Sequence, residues 1–528
     1  MKNLMIFCKV TAFNVSVNRL GGSFGGKFLS SLVSSGAAAI AANVTGRPVR
    51  LNLDLSANMK NVGKRWPLLA KYKAGCNKDG KLVAIDIDLY IDSGHLPCIT
   101  MDLLPLIECA YHSPNYRITY QKAYTNKMGA GPVRGPGQIP GCLIMETILE
   151  HLCKESKQDI ILMREINLQE DGQLTITGKE LKNVTIKKVW NRLKQTAEVT
   201  SRQEEINRFN KNNLWRKRGL AMTAVRYDME WPALGLSAHL SIFAADGTVT
   251  IVTAGVEMGQ GLYMKIAQAA AYRLNIPVDY IKIRPNQNNV TPNPFITGGS
   301  TGSERSVASI LMACDQINER LQPVREKFPD ADWKTLVLTA SFMAIDLSAE
   351  ATQVNRGEET PYSTYMAGVV ETEVDVLTGE FQVKRVDMMA DFGESMNPVI
   401  DIGQVEGAFV MGLGAYLTED IYYSKETGQL LNDGTWEYKP PTTKDIPIDW
   451  RIHLLPDTPN PAGVLSSKAV GEPPIGLAMG ALLAIKQGIA SAREDATGNQ
   501  AFVPTNAPLT VEKAQMTSFI ELSHLHVG

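Results

Sequence analysis

The sequence predicts an α+β fold, and three observations support this. Strand-like runs and helical stretches are mixed along the chain without strict β–α–β alternation, which argues against a doubly wound parallel sheet. The chain has 528 residues, 44% of them hydrophobic, which is enough for two to four domains with substantial cores. A charged stretch at residues 201–213 provides a natural connection between two halves.

The elements follow in order along the chain. Residues 71–91 alternate like two strands, and the Asp79-Gly80 pair between them has the turn chemistry of a hairpin. The low-charge run 28–44 predicts a buried, closely packed helix, and apolar residues at helical spacing predict helix within 141–167. The remaining predicted elements are a solvent-facing helix at 201–213, strands within 240–253, and helices at 263–274 and 475–493.

Charge and cysteine content argue against several classes of protein. Net charge is −2, with 53 basic and 55 acidic residues well interspersed, so we expect no nucleic-acid partner and no membrane partner. The seven cysteines are scattered without a CxxC pair, which favours a reducing compartment and argues against an iron–sulfur cluster within this chain. Lys9 interrupts the N-terminal apolar run, which is too short for a signal peptide. We therefore expect a cytoplasmic protein.

The segment KAVGEPP at residues 468–474 contains the most informative residue, Glu472. Gly471 permits backbone torsions that other residues avoid, and Pro473 fixes its own φ while disfavouring the helical region at Glu472. A carboxylate held by backbone geometry in an apolar stretch is a candidate general base, because desolvation raises its pKa toward neutrality. From these residues alone, a stiff loop with an exposed acid is an open alternative.

Glycine clusters indicate a site for an anion. Residues 21–27 nearly spell a nucleoside-triphosphate-binding loop, but Phe28 stands where that motif needs a hydroxyl for Mg²⁺, which argues against an ATPase. Consecutive small residues, as in TGGSTGS at 297–303, let backbone N–H groups converge on an anionic group. Gln260, between two glycines, adds an amide that both donates and accepts. Together the clusters suit a polyanionic ligand rich in heteroatoms.

Four segments make the sequence similar to the molybdenum-cofactor domain of the aldehyde oxidase and xanthine dehydrogenase family. They are GGSFGGK at 21–27, MGQG at 258–261, DIGQVEG at 401–407 and the segment around Glu472. The resemblance implies two α+β subdomains that clasp a molybdopterin cofactor between them. We expect the first subdomain at residues 1–170, the second at 190–510 and a C-terminal tail at 511–528.

The resemblance also assigns roles by position. Glu472 matches the catalytic glutamate, and no side chain is expected to ligate the molybdenum directly. Phe24 and Gly25 match positions that approach the oxygen ligands of the metal, and Arg134 matches a residue close to the metal site. The residues that match pterin- and phosphate-binding positions are Gly259, Gln260, Gly298, Gly299, Ser300 and Gln404.

Four pocket positions predict the branch of the family. Xanthine dehydrogenases carry a purine-binding glutamate where this chain has Phe28, and a purine-binding arginine that we align with Cys109. Phe28 and Cys109 cannot form the hydrogen bonds that this glutamate and arginine make with a purine. The pocket should therefore discriminate against purines, which predicts an aldehyde oxidase. The aromatic residues that sandwich flat substrates align with Pro136 and Met229, which predicts a roomier pocket for varied aldehydes.

The resemblance implies redox partners outside this chain. Members of the family pass electrons through [2Fe–2S] clusters and FAD, finally to O₂ in the oxidases, and they form homodimers. Only 23 residues precede Phe24, too few to include a glutamine that the family carries, so we expect an N-terminally incomplete domain that is inactive alone. Two alternatives are open: a xanthine dehydrogenase-like purine hydroxylase, and a non-catalytic fragment without cofactor.

Overall fold

The computed structural model describes residues 14–22, 24–95, 103–230, 235–354, 362–498, 502–504 and 506–519. In chain order the strands are β1 (Ser16–Val17), β2 (Leu68–Cys76), β3 (Leu82–Asp92), β4 (Tyr116–Ala123), β5 (Arg216–Met229), β6 (Ser237–Ile242), β7 (Val249–Thr253), β8 (Ile281–Ile283), β9 (Asn286–Gln287), β10 (Ser348–Thr352), β11 (Tyr362–Asp375), β12 (Phe381–Asp391) and β13 (Asp449–Leu454).

The α-helices are α1 (Ser30–Thr45), α2 (Leu55–Asn61), α3 (Leu103–Ile107), α4 (Gln138–Ser156), α5 (Ile160–Ile166), α6 (Ile186–Thr196), α7 (Val199–Asn212), α8 (Leu262–Leu274), α9 (Gly302–Lys327), α10 (Trp333–Phe342), α11 (Pro398–Leu413), α12 (Met479–Thr497) and α13 (Val511–Ser518). Short 3₁₀ turns lie at Val278–Tyr280, Val464–Ser466 and Pro473–Ala478, and a π turn at Gly414–Thr418. The mixture of helices with largely antiparallel sheets confirms the α+β prediction.

The first sheet contains the predicted hairpin. Strands β2 and β3 pair antiparallel, and β4 joins β3 in parallel. In the connecting turn, the side-chain oxygen of Asn77 accepts the N–H groups of Asp79 and Lys81, and Gly80 has a φ of +85°. Only glycine adopts that torsion without strain, so the Asp-Gly pair sets the turn as the sequence predicted.

Two four-stranded sheets form the second half. One has the order β13-β12-β11-β5 and the other β10-β6-β7-β8. The predicted strands within 240–253 and the predicted helices at 201–213 and 263–274 are confirmed as β6, β7, α7 and α8. Helices α8 and α9 cover the smaller sheet, with buried residues such as Ile266 and Ile310 at the contact.

The hydrophobic cores do not follow the order of the two halves along the chain. The larger core joins both halves, because Ile148 of α4 belongs to the same cluster as Val370 of β11 and Leu482 of α12. The smaller core contains only residues between 238 and 351. The predicted division into residues 1–170 and 190–510 therefore stays a prediction, and the first half folds against a sheet of the second half.

One local prediction is wrong, and the predicted tail contains an ordered element. The predicted helix at 28–44 exists as α1, but it is not buried: Leu32 and Val44 are 57% and 77% exposed. The predicted tail contains helix α13, in which Ala514 and Ser518 are fully buried. Thr510 caps this helix by accepting the N–H of Lys513. Residues 520–528 lie outside the described part of the chain.

A long apolar helix follows Glu472. It begins as the 3₁₀ turn Pro473–Ala478 and continues as α12, which confirms the helix predicted at 475–493. Among the described residues, Pro473–Thr497 is the one helical segment long and apolar enough to cross a membrane. In the structure 83% of its most apolar window is buried, as in the core helix of a folded domain. Glu472 thus stands at the N-terminal end of a rigid core helix.

Candidate active site

Strand β11 binds both the N–H and the carbonyl oxygen of Ala469, in the segment that leads to Glu472. The backbone N–H of Ala469 donates to the hydroxyl of Tyr362 at 2.9 Å, and the hydroxyl of Thr364 donates to the carbonyl oxygen of Ala469 at 3.1 Å. One residue earlier, the ammonium of Lys468 forms a buried ion pair with Asp391 at 2.6 Å. These contacts fix the chain three residues before the carboxylate.

Glu472 is partly buried, and its described hydrogen bonds converge on one carboxylate oxygen. Oε2 accepts the N–H of Gly135 and the hydroxyl of Tyr227, each at 3.0 Å. Burial raises the pKa of Glu472, while Tyr227, Gly135, Arg134 and Arg65 oppose that rise. Desolvation dominates, so the group is a stronger base than an exposed glutamate. The structure is consistent with the predicted general base.

Arg134 links the two halves of the site. Its Nε donates to the carbonyl oxygen of Gly471 at 2.7 Å, and its terminal nitrogen donates to the backbone and side-chain oxygens of Gln404 at 3.1 and 3.2 Å. Burial lowers the pKa of Arg134 to about 10, which leaves the guanidinium protonated at neutral pH. The structure therefore brings three predicted site residues, Arg134, Gln404 and Glu472, into one cluster.

The Phe24–Gly25 loop packs against the segment that carries Arg134. The N–H of Arg134 donates to the carbonyl oxygen of Phe24 at 2.6 Å. Gly25 has a φ of +91°, and a Cβ there would lie 1.8 Å from the carbonyl oxygen of Pro132. No other residue fits that approach, so this glycine is required by geometry. Phe24 is 53% exposed beside it.

Ser300 faces the same cluster from the loop before α9. An ideal Cβ on Gly471 would lie 3.1 Å from the Oγ of Ser300 and 3.9 Å from the side-chain oxygen of Gln404. That Oγ is buried and has no hydrogen-bond partner among the residues that the structure describes. Gly298 and Gly299 precede it, and Gly299 has a φ of +63°. A polar atom of this kind is suited to a ligand that supplies its partner.

The MGQG loop satisfies its own polar groups. The carboxylate of Glu257 accepts the N–H groups of Gly259 and Gly261, at 2.9 and 3.0 Å. The amide of Gln260 accepts the N–H of Met258 at 2.6 Å and donates to the carbonyl of Val256 at 2.9 Å. The N–H of Gly259, a predicted pterin- or phosphate-binding position, is thus directed at Glu257, as is that of Gly261. Sequence reasoning missed this acid, although it immediately precedes the motif.

The four predicted pocket residues lie in different environments. Pro136 is adjacent to Gly135, whose N–H holds Glu472, and Phe28 is partly buried behind the Phe24–Gly25 loop, with its N–H on the carbonyl of Gly25. Cys109 is fully buried, with its thiol 3.5 Å from that of Cys142. Its place in the core argues against the predicted wall position, because a side chain that lines a substrate pocket is accessible from it.

Met229 is also buried. It is 2% exposed and packs with Leu106, Tyr227 and Ala469 in a small apolar cluster behind the Glu472 segment. The prediction of a flexible side chain on an open pocket wall does not match this environment. Met229 supports Tyr227, the residue that sequence reasoning missed at this site. Tyr227 lies on β5, a strand in which most residues are buried.

Arg65 is a second residue that sequence reasoning missed. Its terminal nitrogen donates to the carbonyl oxygen of Val133 at 2.9 Å, one residue before Arg134. Burial lowers its pKa, and the nearby groups Glu419, Tyr416 and Glu472 oppose that change. Two guanidinium groups therefore flank the segment that faces Glu472, which gives the site a positive field suited to anions.

Comparison with known proteins identifies the family. Two family profiles, both described as a molybdopterin cofactor-binding domain, match residues 7–168 and 192–447. The chain consists of molybdopterin-binding domains of the xanthine dehydrogenase and aldehyde oxidase family. The predicted recognition of the family is confirmed, whereas the aldehyde oxidase branch is not established by these matches.

Relatives of these molybdopterin-binding domains include proteins named as xanthine dehydrogenases. The chain is 37% identical to xanthine dehydrogenase of Oryza sativa subsp. japonica over 523 residues, which is 94% of this chain and 38% of that protein. It is 36% identical to xanthine dehydrogenase/oxidase of Rattus norvegicus over 516 residues, 94% of this chain and 39% of that protein. The chain thus spans about two fifths of the length of these relatives.

Solved structures show the same fold. Quinoline 2-oxidoreductase of Pseudomonas putida 86 matches with a TM-score of 0.87 and 21% identity, covering 98% of this chain and 70% of that one. Aldehyde oxidoreductase of Desulfovibrio desulfuricans matches with a TM-score of 0.79 and 23% identity, covering 94% and 54%. The predicted architecture of two molybdopterin-binding subdomains is confirmed.

The residues present fit a molybdopterin cofactor. The buried Oγ of Ser300 has no described partner, Gly471 leaves room beside it, and Arg134 adds a positive charge nearby. Such a set matches a phosphate-bearing, heteroatom-rich ligand. Among the described residues, no three His, Cys, Asp or Glu side chains are grouped to hold a metal ion.

Proposed function

We propose that this chain forms the molybdenum-cofactor part of a hydroxylase that oxidises aldehydes to carboxylic acids, with Glu472 as the general base. The observation that carries the proposal is the carboxylate of Glu472, partly buried, with a pKa raised by burial, beside the Arg134, Gln404 and Ser300 cluster. Phe24, Gly25, Gly298 and Gly299 would complete the cofactor site.

The residues divide the chemical work. When bound, the molybdenum cofactor supplies the redox centre at which an oxygen atom from water is inserted. Glu472 accepts a proton at Oε1, because its described hydrogen bonds occupy Oε2. Arg134 holds the backbone of Gly471 and the side chain of Gln404, and so fixes the position of the residue before the base. General-base catalysis of this kind contributes about 10²–10⁴-fold.

Phe28 supports an aldehyde rather than a purine as substrate. It replaces a glutamate that binds the purine in xanthine dehydrogenases, and an apolar ring leaves the polar edge of a purine unpaired. Cys109 adds no support for either substrate class, because it lies in the core. The names of the relatives favour the alternative, a xanthine dehydrogenase-like purine hydroxylase.

Electron transfer requires groups beyond these domains. We propose that [2Fe–2S] clusters and FAD on other segments carry electrons to O₂, in a cytoplasmic homodimer. The seven cysteines are scattered in the sequence without a CxxC pair, so we expect residues 1–528 alone not to turn over with O₂. A non-catalytic module without cofactor is the remaining alternative, and metal analysis of the purified protein tests it.

The decisive experiment is Glu472→Gln in the assembled enzyme. We expect normal molybdenum content and a fall in kcat with aldehydes of about 10²–10⁴-fold. Glu380→Gln, at an exposed turn, is the matched control and should leave kcat unchanged. Retention of more than about a tenth of wild-type kcat would exclude Glu472 as the base. Oxidation of xanthine at a rate above that of aldehydes would favour the purine alternative.

A further inference from the structure

Tyr227 is the one side chain that the structure places in hydrogen-bond contact with the Glu472 carboxylate, among the residues it describes. Its hydroxyl lies 3.0 Å from Oε2, and the tyrosine is 8% exposed. The only other described contact of that oxygen is the N–H of Gly135, which no substitution of a side chain removes. The hydroxyl of Tyr227 is thus the one described hydrogen-bond donor to Glu472 that a side-chain substitution can remove.

The same pair of strands fixes both partners of this contact. Tyr227 lies on β5 directly opposite Thr364 of β11 in the antiparallel register. Thr364 and Tyr362 hold the carbonyl and the N–H of Ala469, three residues before Glu472. Tyr227 and the segment that carries Glu472 are therefore both held by the paired strands β5 and β11. Hydrogen bonds to a charged group depend steeply on geometry. Because the same two strands hold both residues, the distance between the hydroxyl of Tyr227 and the carboxylate of Glu472 is well defined.

On the basis of the proposed role of Glu472 as base, we propose that Tyr227 is a positioning residue that orients the carboxylate and keeps it ionised. By donating to Oε2, it leaves Oε1 as the oxygen that receives the proton of the reaction. It also stabilises the charged form in a partly buried site, where a carboxylate without donors would be protonated.

The groups that act on Glu472 support this assignment. Burial raises its pKa, and the opposing groups are Tyr227, the N–H of Gly135, Arg134 and Arg65. Arg134 and Arg65 act through charge only, since their hydrogen bonds go to other acceptors. A donor to a carboxylate stabilises the ionised form, so its removal raises the pKa further. The base is then protonated over a wider range of acidic pH.

The test compares Tyr227→Phe with Tyr111→Phe in the holoenzyme. Tyr111 donates to the buried carboxylate of Glu146 at 2.8 Å, so its loss breaks a tyrosine–glutamate pair elsewhere in the protein. For Tyr227→Phe we expect the acid limb of the kcat profile to move to higher pH, with about a tenfold loss of kcat on the acid side and little at the alkaline plateau. Tyr111→Phe should lower stability without moving the limb.

A second readout uses cofactor-free protein. Infrared spectra of the wild-type protein, recorded across pH and compared with those of Glu472→Gln, isolate the carboxylic acid band of Glu472. The pH at which this band is half developed should be higher in Tyr227→Phe than in wild type. An unmoved acid limb and an unmoved midpoint in folded Tyr227→Phe would overturn the proposal. That result leaves the proposed function intact if Glu472→Gln still abolishes turnover, whereas a fully active Glu472→Gln enzyme removes the proposed function itself.

Discussion

The guanidinium of Arg134 holds the carbonyl oxygen of Gly471 at 2.7 Å, across 337 residues of sequence. The same side chain binds two oxygens of Gln404. Through these contacts a loop of the first molybdopterin-binding domain sets the position of the residue before Glu472. The site is therefore assembled from both domains rather than carried by either one.

Replacing Arg134 by lysine should weaken this assembly. A lysine has one ammonium and no planar fork, so it cannot serve the three acceptors of Arg134. We expect a stability loss of about 2 kcal/mol from unsatisfied buried oxygens, together with reduced molybdenum content. Thermal melting and metal analysis measure both. Arg117→Lys, in an ion pair whose arginine is 68% exposed, is the control and should change neither. Full cofactor content in Arg134→Lys would contradict the prediction.

Ser300→Ala should separate stability from cofactor retention. The buried Oγ lacks a described partner without the cofactor, so its removal should leave the stability of cofactor-free protein unchanged or slightly increased. In the loaded protein the same change removes a donor to the ligand, and we expect about a tenfold faster loss of cofactor on dilution. Equal retention in wild type and variant would show that Ser300 does not contact the cofactor.

The stability of the protein should depend on pH through Glu472. Burial raises its pKa in the folded state, so the folded state binds the proton more tightly than the unfolded state. This contribution is fully present below the ordinary value of 4.5 and is lost as pH rises through the folded-state pKa. Glu472→Gln should therefore raise the melting temperature relative to wild type near neutral pH. Melting curves across pH should show this gain vanish under acidic conditions; a constant difference would refute it.

Phe28 and Cys109 should respond to substitution in opposite ways. Phe28→Glu introduces the acid found in xanthine dehydrogenases, and we expect measurable xanthine oxidation with reduced turnover of apolar aldehydes. Cys109→Arg buries a cation against Cys142 in the core and should cost about 4 kcal/mol or more, so that the protein fails to fold. Circular dichroism and xanthine assays test the pair. A well-folded, active Cys109→Arg enzyme would restore Cys109 to the pocket.

Two glycines should tolerate alanine very differently. At Gly25 a Cβ meets a backbone oxygen at 1.8 Å and φ is +91°, so Gly25→Ala should lose about 3 kcal/mol and disturb the loop beside Arg134. At Gly403, an exposed position of helix α11, a Cβ meets nothing within 4 Å. Gly403→Ala should gain about 0.5–1 kcal/mol. Denaturant unfolding of both variants checks the prediction, and equal effects would refute it.

The sequence by itself determined the local features of this protein. The sequence located helices α7, α8 and α12, and the Asp79-Gly80 pair determined the hairpin turn, because these signals lie within a few neighbouring residues. The backbone argument for Glu472 was wrong, because its φ of −108° and ψ of −34° lie in the helical region that Pro473 was expected to disfavour. The likeness of four segments to one family supplied the cofactor.

Only the tertiary structure decided which side chains meet. The contact of Tyr227 with Glu472 spans 245 residues, and no local pattern encodes a hydrogen bond between a strand and a distant loop. Likewise, Cys109 lies in the core and the apolar helix α1 on the surface, although both looked otherwise in the sequence. Exposure depends on which surfaces pack together, and side-chain contacts at this site arise from two domains that share one core. Packing between distant segments therefore created the environment of the base.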